Sequence, residues 1–124
     1  MKKLIVILFF MGSTAVLSAK YIAGMASCQH ISGSGYTYFV VLGTGTDSYP
    51  QNAKRMVKFL ENKYSSKIKK YCKKNTIEDI EVYYFKSKHK VINEFKRLID
   101  YCYSYDSNAR KTFKIRFYHE KQWK

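Results

Sequence analysis

"GYTYFVVLGTGTDSYPQNAKRMVKFLENKY", residues 35–64, decides the fold. Its first part, Tyr36 to Leu42, is β-branched and aromatic throughout, the composition of a strand buried on both faces. "GTGTDS" (43–48) then breaks the run as a turn. Pro50 suits a first helical turn, with Ser48 or Asp47 as the capping residue. Ala53, Met56, Val57, Leu60, Tyr64, Ile68 and Tyr71 follow at helical spacing and fall on one face. The spacing predicts a helix from Pro50 to about Lys74. A break at Ser65–Ser66, with "KIKKYC" as a short strand, is the alternative.

The same alternation continues downstream. "IEVYYFK" (80–86) predicts a second strand. Val91, Ile92, Phe95, Leu98, Ile99 and Cys102 form the apolar face of a second helix over His89–Tyr103. "TFKIRFY" (112–118) alternates as a half-exposed strand. The expected architecture is a small single α+β or α/β domain. Its order is βαβαβ, or βαββαβ if the Ser65 break is a strand, with two helices on one face of the sheet.

Upstream, "MKKLIVILFFMGSTAVLSAK" has the order of a secretory signal peptide. Lys2 and Lys3 are followed by an apolar run and then by small residues ending at Ala19. The 16 uncharged residues between Lys3 and Lys20 fall short of the roughly 20 that span a membrane. An uncleaved anchor is the alternative. The expected division is a signal peptide over 1–19, a flexible lead over 20–35 ending in "SGSG", and one globular domain over 36–124. The expected location is periplasmic or secreted, with no membrane-spanning segment after processing.

Three cysteines in an exported chain leave one unpaired. "MASC" (25–28) has the small residues of a lipoprotein box, but Lys20 separates it from the apolar run. If both helices lie on one side, their ends are neighbours, and Cys72–Cys102 is the expected disulfide. Cys28 paired with either partner, Cys28 lipidated, and no bridge at all are the alternatives.

Charge is the strongest functional feature. The 23 basic and 9 acidic side chains give +14, and losing Lys2 and Lys3 brings this to +12. Residues 54–75 carry nine basic side chains against Glu61 alone. Lys54, Arg55, Lys58, Lys69 and Lys73 fall opposite the apolar stripe, with Phe59 among them. A cationic face with an aromatic ring holds phosphates and stacks on sugars or bases. With 12 tyrosines in the chain, Tyr83 and Tyr118 are expected on an aromatic sheet surface suited to carbohydrate.

The chemistry of catalysis is missing from the pattern. His30, His89 and His119 are scattered, and there is no nucleophile elbow, metal-ligand spacing or convincing carboxylate pair. "LGTGTD" lacks the third glycine and the lysine of nucleotide-binding loops. The chain reads as a non-enzymatic binding module without cofactor or metal. Its expected partner is an anionic polymer or glycan of the cell envelope, and released nucleic acid is a further polyanion. An inhibitor or immunity-type protein that docks on another protein is the alternative. A small secreted nuclease or toxin comes third.

Residues 35–64 also resemble the first half of a SPOR domain, through Gly43, Asn52, Ala53 and Leu60. "IEVYYFKSKHKVINEFKRL" (80–98) resembles the second half. It departs at Phe85 and Ile92, where that family usually has glycine and alanine. The resemblance implies a βαββαβ fold that binds peptidoglycan glycan strands on its sheet face without catalysis.

Overall fold

A computed structural model describes residues 21–45, 48–105 and 107–118. The leader read at 1–19, Lys20, Asp47 and His119 lie outside the described residues. Four strands occur: β1 (Tyr21–Gln29), β2 (Tyr36–Thr44), β3 (Asp79–Phe85) and β4 (Ala109–Tyr118). Helices α1 (Tyr49–Lys63) and α2 (Ser65–Tyr71) follow β2. Helix α3 (Lys88–Asp100) follows β3 and runs into a π-helical turn at Tyr101–Tyr105.

The strands lie in the order β3-β1-β2-β4. β1 is antiparallel to β2 and to β3, and β2 is parallel to β4. Thus β2, β3 and β4 all run one way, with β1 reversed between them. The chain is a small α+β domain with a mixed sheet.

The segment read as a flexible lead is therefore the centre of the sheet. Its small residues explain why it does not read as a strand. Ala23, Gly24 and Ala26 have low strand propensity, yet a strand covered on both faces needs little side-chain bulk there. At Gly24 an added Cβ would stand 2.7 Å from Met56 Sδ, so the glycine lets α1 approach. "SGSG" is the tight part of the β1–β2 hairpin, with Gly33 and Gly35 at φ of +85° and +79°.

The helices occupy opposite faces, which corrects the one-face expectation. Met56, Phe59, Leu60 and Ile68 pack with Ile22, Ala26, Phe39, Val41 and Ile115 on one side. Val91, Leu98, Ile99 and Cys102 pack with Ala23, Val40 and Leu42 on the other. The reason is topological. The β2-to-β3 crossover passes β1 to reach one edge, and the β3-to-β4 crossover returns to the opposite edge. Parallel crossovers share one hand, so reversing direction across the sheet forces a change of face.

This geometry settles the cysteines. Cys28 and Cys72 form the disulfide, with Cα atoms 5.6 Å apart, and Cys102 is a buried thiol outside that bond. Cys72–Cys102, the expected pair, is excluded because the sheet lies between them: Cys72 belongs to the α1–α2 core and Cys102 to the α3 core. The bonded Cys28 is not a lipid anchor.

The long helix expected from Pro50 to Lys74 breaks at Tyr64, which has φ −115° and ψ 28°. The residues after the break are helical, not a strand. The resulting ββααβαβ order differs from the βαββαβ that the SPOR resemblance implies, and both sheet faces carry helices.

Candidate functional site

Helix α2 is too short to hold its place alone, so its end is fixed to the β1–β2 hairpin. The Tyr71 carbonyl accepts from Thr37 Oγ1 at 3.1 Å and from the Ile31 amide at 2.9 Å. The Lys73 amide donates to the Gln29 carbonyl at 2.9 Å, and the Cys28–Cys72 bond lies between these contacts. Thr37 is fully buried, and its Oγ1 also meets His30 Nδ1 at 2.8 Å. Because the hydroxyl proton goes to Tyr71, His30 Nδ1 must be the donor to the oxygen.

So anchored, the Tyr71 ring stands edge-on to Phe113 of β4, with centroids 5.1 Å apart and planes at 60°. Phe113 stacks in turn on the core residue Phe39 at 5.1 Å. Three ammonium groups gather over this pair. Lys67 Nζ lies 5.0 Å from the Phe113 centroid and Lys70 Nζ 5.5 Å from that of Tyr71. Lys111 Nζ serves both rings, at 5.3 and 5.8 Å. The ring faces hold the cations by their quadrupoles. Among the described residues no carboxylate pairs with Lys67, Lys70 or Lys111. The arrangement presents convergent, pre-positioned positive charge at the β4 edge, where a phosphate, sulfate or carboxylate group finds several donors at once.

The expected site residues are distributed differently. Lys54 and Lys58 are exposed on α1, and both line a groove against Ile80 of β3, at the opposite edge of the sheet from β4. Arg55 beside them is half-buried. Lys69 and Lys73 are exposed on and just after α2. The break at Tyr64 thus separates Lys54 and Lys58, beside β3, from Lys73, whose amide joins the β1–β2 hairpin at Gln29. Phe59 is buried, not exposed among lysines. The chain turns at Tyr64, whose ring packs 6.1 Å from that of Phe59 and shields a flank that a straight helix would leave open.

Tyr83 is half-buried against the α3 core, and its hydroxyl donates to Glu81 at 2.5 Å. Burial first, then the Glu81 contact, pushes its pKa well above the ordinary tyrosine range. Tyr118 ends β4, and its side chain lies outside the described residues.

Tyr71, Phe113 and Lys111 escape the sequence reading because each looks ordinary on its own element. Tyr71 and Phe113 sit on apolar stripes, and Lys111 precedes the expected strand. The available signal is the i,i+2 pair Lys111–Phe113, which places charge and ring on one face of an edge strand. Among the described residues, no three His, Cys, Asp or Glu side chains gather as a metal site.

No known protein family, curated protein or solved structure matches the chain.

Proposed function

We propose that the chain is an exported, non-enzymatic binding module. It holds an anionic polymer or glycan of the cell envelope on Lys67, Lys70 and Lys111 over the Tyr71–Phe113 pair. The observation that carries this reading is the convergence of three unneutralised ammonium groups on two rings. Export is supported by the charged, apolar and small-residue order of the leader and by the disulfide, which suits an oxidising compartment. Among the described residues no helix is long and apolar enough to cross a membrane.

Fluorescent polyphosphate is the probe, with polyglutamate as a carboxylate polymer and dextran as an uncharged control. Affinity for the anionic chains falls with salt, because binding displaces condensed counterions. Changing Lys67, Lys70 and Lys111 together to Gln lowers the log–log salt slope by roughly 2, at about 0.7 per contact on a flexible strand. An unchanged affinity and slope in that variant would overturn the site.

A further inference from the structure

The β3 edge carries a second feature that the polymer site does not use. Ile80, at the start of β3, turns its backbone away from β1. Its amide donates to the Asp79 carboxylate at 2.9 Å, and its carbonyl accepts from the Tyr49 hydroxyl at 3.3 Å. Strand alternation then turns the N–H and C=O of Val82 and Tyr84 outward as well. They point to the side where, among the described residues, the sheet has no further strand. Beside this edge runs a groove of about 560 Å³, whose floor includes Ala53, Val57 and Ile80. Lys54 and Lys58 stand on its rim. Glu61, the one acid among the described residues that line the groove, is engaged elsewhere, accepting from Thr76 Oγ1 at 2.5 Å and the Ile77 amide at 3.4 Å.

We infer that this edge takes up an extended, acidic segment of a partner protein as a fifth strand next to β3. Backbone groups of Val82 and Tyr84 would supply the ladder. On the face toward α1, apolar partner side chains would lie on Ala53, Val57 and Ile80, and acidic ones would meet Lys54 and Lys58. Charge selects the occupant. A second copy of this chain would bring Lys54 and Lys58 against a molecule that is itself strongly positive, whereas an acidic strand neutralises them. Tyr49 and Asp79 cap the edge at Ile80 and set where the added strand ends.

The test uses the acetylated octapeptide Val-Thr-Glu-Thr-Val-Thr-Glu-Thr, which presents valine and glutamate together on one strand face. Its controls are the counterpart with lysine in place of glutamate and the same peptide N-methylated at alternate residues. The expected result is saturable binding with amide shifts centred on Val82, Tyr84 and α1. Lys54→Gln with Lys58→Gln should weaken it at least tenfold, and N-methylation should abolish it. Val82→Pro should also abolish it, since proline removes an outward donor while sparing the β1 ladder. The methylated peptide keeps the test decisive if that variant does not fold. The Lys67, Lys70 and Lys111 variant should bind the peptide unchanged, separating this surface from the polymer site. Equal binding of the lysine peptide or of the methylated peptide, or no saturable binding, overturns the inference. Sedimentation showing a dimer that Val82→Pro dissolves would assign the edge to a second copy and overturn it too.

Discussion

The hydroxyl of Thr37 reaches across 34 residues to the carbonyl of Tyr71, at 3.1 Å, and so ties the middle strand β2 to the last residue of α2. The contact is fully buried at Thr37. Thr37→Val keeps the shape but withdraws a donor from Tyr71 and an acceptor from His30. The expected loss is about 1–3 kcal/mol, measured by urea denaturation. Polyphosphate binding should weaken with it, because the Tyr71 ring loses part of its anchor. Wild-type affinity in a folded Thr37→Val protein would show that the ring needs no such support.

Reduction of Cys28–Cys72 opens a loop with a sequence separation of 44. In the chain-entropy model this costs about 4 kcal/mol. Cys28→Ala with Cys72→Ala should lower the melting temperature accordingly. Non-reducing peptide mapping should join the Cys28 and Cys72 peptides and leave Cys102 alkylatable only after unfolding. A Cys102-containing bridge in native protein would contradict the arrangement.

Gly35→Ala should be among the most damaging single changes. The residue has φ +79°, and an added Cβ would stand 2.3 Å from the Asn108 carbonyl, a backbone atom. The left-handed backbone alone costs roughly 1–2 kcal/mol for a residue with a side chain, and the clash adds to this. Thermal melting measures the loss. Gly24→Ala should cost less, because the atoms it meets belong to the flexible end of Met56.

Alkaline stability reports on Tyr84. Burial pushes its pKa from 10.0 up to about 12, partly opposed by the amide of Asn52, which donates to its oxygen at 3.0 Å. A raised folded-state pKa means that the folded protein holds the phenolic proton more tightly than the unfolded chain. The contribution is therefore complete below pH 10 and is lost as pH rises toward 12. Denaturant midpoints should fall across that window. Tyr84→Phe should flatten the fall while lowering stability at neutral pH through the orphaned Asn52 contact.

The elements after residue 35 are legible in the sequence because their periods are strong. Val40 and Val41 sit in an unbroken apolar run, Met56 and Leu60 keep a helical interval, and Phe113 and Ile115 alternate. β1 is not legible, since Ala23, Gly24 and Ala26 are selected by tight packing between two helical layers and not by strand propensity. The face on which α3 packs is invisible to local periodicity, because it depends on which edge β3 joins. The wrong disulfide follows from that one missing fact. The Lys67, Lys70, Lys111, Tyr71 and Phe113 cluster depends on α2 reaching the β4 edge, a consequence of the bend at Tyr64. A straight helix would have kept Lys54 and Lys69 on one surface.

With its two helical layers, the sheet also works as an insulator for sulfur chemistry. Disulfides exchange when a thiolate attacks a bonded sulfur directly. Cys102 is 1% exposed beneath α3, and Cys28 and Cys72 are 1% and 0% exposed beneath α1 and α2. A wall of backbone separates nucleophile from target, so the spare thiol cannot scramble the bridge while the strands remain paired. Reshuffling must wait for the sheet to open, which ties the correctness of the bond to the lifetime of the folded state. The third cysteine is thereby kept from the bond by burial and topology together.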